Sequence, residues 1–336
     1  MIDHLVYDAA RSRAVWVARP ARGRLWLSGP DRATYLQGLL TNDVKAVGAG
    51  EGCYAAYLTP QGRMISDMRL HELGDGLLMT LPASTVDVVR DRLERFTFAE
   101  DVAVEDRTAS SAQVGLHGPA AATWLEHALE PAPGAGPVAN LRLFQSVRRR
   151  LAGAEVIVTA TDELGGGFDL FTQAGAPAAT RALEAAGFVE APREVAEVLR
   201  VEAGLPEFGV DMDEETIPLE AGIEHRAISL TKGCFVGQEV IIRVLHRGHG
   251  RVARHLVGLT IGAGADPAYV PAAGAELHAE NRQVGRITSA VQSPALSCTV
   301  ALGYVHRDFV EVGTRLRLAH GDATLSAIVT KLPFVS

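Results

Sequence analysis

From Arg251 to the end of the chain, the apolar residues fall into short runs: HLVGLTI, AELHA, QVGRITSAV, TVALGYVH, TRLRLA and ATLSAIV. Turns rich in Gly, Pro and Asp separate them. Short runs of this kind read as strands, and a series of them packed so closely reads as a small β-barrel. Upstream the pattern is mixed. AVWVA and GRLWLSG read as two short strands joined by a turn at Pro20 to Gly23. Pro30 and Asp31 then open a helix whose buried stripe is Ala33, Leu36, Leu39 and Leu40. CYAAYLT, a turn at Pro60 to Gly62, and MISDMRLHEL form a hairpin. GLLMTL leads into a helix with Ser84 as N-cap and Asp87 at the capping-box position. Residues 110–190 repeat the plan of strand, small-residue turn and helix. A further helix runs from Pro192 and Arg193 through VAEVLRVEAG and stops at Gly204 and Pro206. The expected class is α+β, with a first unit over residues 1–110, a second over 111–250, and the barrel over 251–336.

Composition removes several classes of function. The 336 residues are 47% hydrophobic and 21% charged, enough for a large core split over more than one domain. The formal net charge of −8 argues against a nucleic-acid binder that relies on a basic face. The densest basic cluster, Arg148 to Arg150, reads as a solvated strand end. Cys53, Cys234 and Cys298 are far apart with no Cys-x-x-Cys pairing, so they form neither a disulfide framework nor a four-cysteine metal site. No stably bound metal is expected. The N-terminal residues carry Asp3 and Asp8 and no long apolar stretch, which is unlike a signal peptide, and no apolar run reaches membrane-spanning length. A cytoplasmic protein with no membrane association is the expectation.

The chemistry concentrates in Glu224 to Arg251, EHRAISLTKGCFVGQEVIIRVLHRGHGR. Here Lys232, Cys234, Gln238, Glu239, Arg243, His246, Arg247 and His249 sit between closely spaced glycines. EVIIRVL reads as a strand or a short helix. KGCFVGQE, at Lys232 to Glu239, resembles the signature of the YgfZ-type folate-binding proteins, relatives of the glycine-cleavage T-protein (aminomethyltransferase). YLQGLLTNDV, YLTPQGRMISDMRL, GLHGPAA, LRVEAGLPEFG, IPLEAGI and VGRITSAVQSPALSCTVALGYV are similar to further blocks of that family, in order along the chain. The resemblance implies a three-lobed T-protein-like fold with two related α+β units and the barrel. It also implies a bound tetrahydrofolate in a channel between them.

The resemblance also proposes site residues. Asp67, in ISDM, falls where T-protein relatives carry two adjacent acids at the substrate amine, and Ser66 stands at the first of these positions. Read from the strand pattern alone, Asp67 is a solvent-facing residue of a half-buried strand. Asp169, in GFDLF, matches a glutamate that pairs with the pterin, or is a surface acid. Arg200 and Glu202, in LRVEAG, would lie beside the folate; otherwise Arg200 is a cation at a helix C-terminus. Lys232 and Gln238 join the folate-binding group. Cys234 is either a reactive thiolate or a buried small hydrophobe. His246 and His249, with Arg243 and Arg247, read as a salt-bridge network facing the acids of residues 211–224. Cys53 and Cys298 read as buried in strands.

The resemblance implies, as the expected function, a tetrahydrofolate-binding accessory protein for iron–sulfur cluster assembly or repair. It would serve tRNA-thiolating radical enzymes and other iron–sulfur clients as a monomer. The alternative is a folate-dependent aminomethyltransferase or another one-carbon transferase.

Overall fold

The computed structural model describes residues 2–132, 136–173, 178–247, 251–262, 269–320 and 323–335. In chain order the elements begin with α1 (His4–Ser12), β1 (Val15–Ala18), β2 (Arg22–Ser28), α2 (Arg32–Leu39), β3 (Gly52–Leu58), β4 (Met64–Glu72), β5 (Leu77–Pro82), α3 (Val86–Arg95) and β6 (Ala103–Asp106). Next come β7 (Ser111–His117), α4 (Ala121–Ala128), β8 (Ser146–Leu151), β9 (Ala154–Thr161), β10 (Gly167–Gln173), α5 (Ala178–Ala185), β11 (Val189–Glu190) and α6 (Arg193–Glu202). The short helices α7 (Glu224–Ala227) and α8 (Gln238–Ile242) follow. The strands β12 (Arg254–Ile261), β13 (Glu276–Ala279), β14 (Arg282–Ser293), β15 (Cys298–His306), β16 (Arg315–His320) and β17 (Ala323–Thr330) complete the chain.

The chain divides into two compact units. The first comprises residues 1–59, 65–195 and 226–236, and the second comprises 60–64, 196–225 and 237–336. The expected α+β class holds. The second unit contains the expected barrel, closed in the order β12-β15-β14-β13-β16-β17 around Leu259, Leu277, Ile287, Leu316 and Leu318. In the same unit Arg200 is buried and pairs with Asp211 at 2.6 Å, and Ser289 of β14 accepts another of its N–H groups.

The first unit holds two sheets, β3-β4-β5-β2-β6 and β11-β1-β7-β10-β9-β8. β1 and β2, adjacent in sequence and joined by the expected turn, enter different sheets. Each sheet has an apolar face and a mixed one, as period-2 alternation dictates. Met68 and Leu70 of β4 pack with Leu36 and Leu40 from the α2 segment and Val89 and Leu93 of α3. Val114 and Leu116 of β7 pack with Leu125 of α4 and Leu183 of α5. The opposite faces carry Asp67, Arg69 and His71 on β4, and Gln113 and His117 on β7. These too are buried. All nine residues of β4 are therefore out of solvent, because helices cover one face and the second sheet the other: His71 Nδ1 lies 3.3 Å from the Phe144 carbonyl oxygen and 3.3 Å from Ser146 Oγ.

Local signals near β4 and β5 differ in one place from expectation. Ser84 does not cap α3; residues 83–85 form one tight turn, and Thr85 precedes the helix without a side-chain cap bond. Its hydroxyl donates to the Pro82 carbonyl and meets Ser66 Oγ at 2.8 Å. EVIIRVL is helical, as α8 followed by a π turn over Arg243–Arg247. Cys53 and Cys298 are partly exposed rather than buried. Met68 is wholly inaccessible, so Met68→Ala is expected to lower unfolding free energy by about 2–5 kcal/mol in urea denaturation.

Candidate functional site

Between the two sheets of the first unit lies a layer of buried ionisable groups. Asp67, on β4, is 4% exposed and accepts a hydrogen bond at Oδ2 from the Tyr54 hydroxyl of β3 at 2.8 Å. Its Oδ1 is buried and has no hydrogen-bond donor among the described residues. Tyr54 is held between cations: the Arg226 guanidinium lies 4.5 Å and that of Arg69 5.6 Å from its ring centroid. Burial, and then the charge of Asp67, push the phenol well above its usual range, so it remains a proton donor to Asp67 at physiological pH. Asn42 places the Tyr54 strand and the 226 segment together, its amide donating to the carbonyls of Tyr54 and Arg226.

A second acid group faces the same cations. Glu163 is bridged by Arg19 and Arg69, each at 2.9 Å, and Asp162 pairs with Arg226. Burial opposes the charge on Glu163, but Arg19 and Arg69 outweigh it and hold the carboxyl well below its ordinary range. The reciprocal field raises Arg69 despite its own burial. Asp169, on β10, has no such short pair: its buried Oδ1 accepts no hydrogen bond among the described residues, and Arg19 lies 3.9 Å from it. Burial first, then the charge of Glu163, push Asp169 up to about 6. His117 accepts from Arg19 at Nε2 (2.7 Å) and donates from Nδ1 to the Gly166 carbonyl (2.9 Å). Burial and Arg19 lower it to about 3, so it is a neutral spacer. Gly115 makes room for this stack, since a Cβ there would lie 2.4 Å from His117 Nε2.

Strand alternation also explains Ser66. It lies on the opposite face of β4 from Asp67, fully buried and bonded to Thr85. An acid at 66 would point toward the helices, so serine there removes no carboxylate from the Asp67 face. The readings of Asp67 as a solvent-facing residue and of Asp169 as a surface acid do not hold, because each is covered by the facing sheet.

The remaining sequence candidates lie elsewhere or are otherwise engaged. Lys232 Nζ donates to the carbonyls of Gln37, Leu40 and Asn42 at 2.6, 2.6 and 2.8 Å, closing the C-terminal end of α2. Burial lowers it to about 8, against the fields of Asp43 and Cys53. Cys234 is exposed in the loop before α8 rather than packed as a small hydrophobe. Gln238 is the first residue of α8, in the second unit. Arg200 and Glu202 belong to that unit as well. Arg200 is bound by Glu197 and Asp211, and Glu202 accepts from Ser293 Oγ of the barrel at 2.5 Å. His249, with Gly248 and Gly250, lies outside the described residues, as do the side chains of His246 and Arg247. Among the described residues, no group of three His, Cys, Asp or Glu is placed to hold a metal ion.

Tyr54, Arg69, Glu163, Arg19 and His117 were not singled out from sequence. One signal was present: in ISDMRLHE, Asp67, Arg69 and His71 alternate with Met68 and Leu70, which puts three polar groups on one face.

Comparison with known proteins gives the lineage. The GCVT N-terminal domain matches residues 7–232, and the glycine cleavage T-protein C-terminal barrel domain matches residues 254–336. The aminomethyltransferase of Rubrobacter xylanophilus is 34% identical over 89% of this chain and 78% of its own length. That of Lysinibacillus sphaericus is 27% identical over 98% and 88%. The crystal structure of glycine cleavage system aminomethyltransferase T from Bartonella henselae shares the fold with a TM-score of 0.87. It covers 98% of this chain and 89% of its own, at 22% identity. The chain belongs to the glycine cleavage T-protein family. The expectation of an iron–sulfur cluster accessory protein is corrected by the same relatives, which match nearly the whole chain and are aminomethyltransferases. No helix among the described residues is long and apolar enough to cross a membrane.

Two measurements check the geometry. In the unfolded chain Asp169 ionises near the ordinary carboxylate value of about 4, and in the folded chain near about 6. Its ionisation therefore disfavours the fold, through a penalty that grows as pH rises across that window and is complete above it. Asp169→Asn is expected to raise Tm by at least about 2 °C at pH 8, with the gain vanishing at pH 4. Lys232→Met, which strips the three carbonyls of their donor, should cost on the order of 2–4 kcal/mol in urea denaturation.

Proposed function

We propose that this T-protein family member is a folate-dependent aminomethyltransferase, moving a one-carbon unit from an aminomethyl donor to tetrahydrofolate. The observation that carries the reading is Asp67: a buried carboxylate with one oxygen held by Tyr54 and the other free of any donor. A buried acceptor without a partner is costly, and a reduced pterin presents N–H groups that satisfy such acceptors. Asp169 offers a second unpartnered carboxyl oxygen in the same layer, so the residues present fit this ligand.

When bound, tetrahydrofolate supplies the two nitrogens that take up the methylene carbon, while the donor's C–N and C–S bonds break and ammonia and the carrier thiol leave with the two protons those nitrogens lose. Asp67 accepts the N–H of the reacting group at Oδ1 and can receive its proton there. Tyr54 keeps Oδ2 occupied and so fixes the carboxylate plane. Asp169, with its pKa pushed up to about 6, exchanges a proton near neutral pH and pairs with a ring nitrogen in either state. Arg69 and Arg226 hold the Tyr54 ring from the cation side and are themselves anchored by Glu163 and Asp162. The narrower likeness to YgfZ-type folate-binding proteins, carried by KGCFVGQE, is compatible with the same ligand. Cys234, exposed on its loop, has no part in these steps.

The test is formation of methylenetetrahydrofolate from a lipoyl-borne aminomethyl group, paired with anaerobic calorimetric titration of tetrahydrofolate. Asp67→Asn preserves the Tyr54 hydrogen bond and removes the proton acceptor. It is expected to lower turnover by about 10²-fold or more and, because its NH2 replaces Oδ1 opposite the ligand N–H, to weaken tetrahydrofolate binding as well. Wild-type protein that binds no tetrahydrofolate would sink the proposal.

A further inference from the structure

Arg226 lies over the Tyr54 ring, yet its own backbone does little to hold it there. It belongs to α7, a helix of four residues, too short to fix its own position. Residues 226–236 join the first unit only after residues 196–225, which belong to the second. Among the described residues, two backbone hydrogen bonds tie this strap to the rest of the first unit. They run from Ser229 N to the Thr41 carbonyl (3.1 Å) and from Val236 N to the Gly38 carbonyl (3.2 Å).

Side chains make the firmer attachments, and they converge on residues 37–42, at the end of α2. Lys232 engages all three of its ammonium N–H groups there, with the carbonyls of Gln37, Leu40 and Asn42, which leaves none for a ligand. The ring of Phe235, itself buried, lies 5.2 Å from Nζ. The Thr41 hydroxyl donates to the Ala227 carbonyl at 2.6 Å. Asn42 is the junction. Its amide donates to the Arg226 carbonyl at 2.9 Å and to the Tyr54 carbonyl at 2.8 Å, so one side chain holds both backbones that meet at the ring.

A cation drawn to the face of an aromatic ring restricts the swing of that ring. The Arg226 guanidinium, 4.5 Å from the Tyr54 ring centroid and paired with Asp162, does this to the phenol whose hydroxyl meets Asp67 Oδ2 at 2.8 Å. We propose that Lys232 and Asn42 are positioning residues for the transfer reaction. They latch the strap to the end of α2, seat Arg226 on Tyr54 and so fix the Tyr54–Asp67 hydrogen bond. The effect on turnover rests on the aminomethyltransferase reading; the seating of Arg226 does not.

The test is a double-mutant cycle of Lys232→Met and Arg226→Met in the full chain, read in two ways. Without folate, fluorine NMR of the fluorotyrosine-labelled protein reports on the Tyr54 ring, its resonance identified by its loss in Tyr54→Phe. Each single variant is expected to shift that resonance, and the double variant to shift it no further than the larger of the two. In the aminomethyl-transfer assay each single variant should lower kcat about tenfold, and the double variant about tenfold again rather than a hundredfold. The tetrahydrofolate KM of Lys232→Met should stay within about twofold of wild type. An unmoved resonance or an unchanged kcat in folded Lys232→Met overturns the proposal, and so do effects that multiply with those of Arg226→Met. Where Lys232→Met fails to fold by far-UV circular dichroism, Asn42→Asp replaces it in the cycle. That isosteric change sets a carboxylate oxygen against the carbonyls of Arg226 and Tyr54, and the same shift and the same lack of additivity are expected. Wild-type protein that transfers no one-carbon unit overturns the enzymatic reading alone, and the fluorine cycle then decides whether Lys232 seats Arg226.

Discussion

Burying a formal charge in a protein interior costs several kcal/mol unless partners replace its water. The first unit meets that cost many times over in one layer. Arg69 answers Glu163 and sits beside Tyr54. Arg226 answers Asp162 and covers the other side of the same ring, and Arg19 reaches Glu163 and His117. No member of the set has its partners within its own strand. The two sheets must therefore meet in one register for the layer to be satisfied, and this is a tighter condition than apolar packing alone would impose.

Among the described residues the layer leaves three carboxylate oxygens without a hydrogen-bond donor, one each on Asp67, Asp162 and Asp169. Neighbouring charges explain why Asp169 differs from Glu163. Glu163 is held by two guanidiniums at short range, whereas Asp169 has Arg19 only at 3.9 Å and the repulsion of Glu163 close by. Equivalent side chains a few ångströms apart thus have opposite tendencies to ionise, an arrangement that separates structural acids from those free to exchange protons. The family assignment and the open carboxylates point the same way.

The fold was readable because its elements advertise themselves locally: the short runs after Arg251 become the closed barrel, and MISDMRLHEL becomes β4. The site was readable only in part. Asp67 and Asp169 were reached through motif likeness, while the strand pattern alone placed both at solvent. An amphipathic strand need not turn its polar face to water. A polar face is also what two sheets show each other when ion pairs join them, and sequence alternation does not distinguish the two cases. Arg19, His117 and Glu163 are brought together by β1, β7 and the turn before β10, across spacings that no local pattern records. Lys232 was misleading for the opposite reason: a lysine among glycines suggests a ligand, yet its ammonium is taken up by three carbonyls of its own unit.

That lysine has a consequence in time. The carbonyl of Leu40 waits for a donor 192 residues further along the chain, and the Thr41 hydroxyl and Asn42 amide wait for the carbonyls of Ala227 and Arg226. At ribosomal rates of roughly 5–20 residues per second, the interval is about 10–40 s. The end of the second helix and the strand that carries Tyr54 leave the ribosome as an unfinished edge. The segment that seals them arrives after both sheets have been made, so the nascent first unit is exposed to chaperones and proteases until Lys232 emerges.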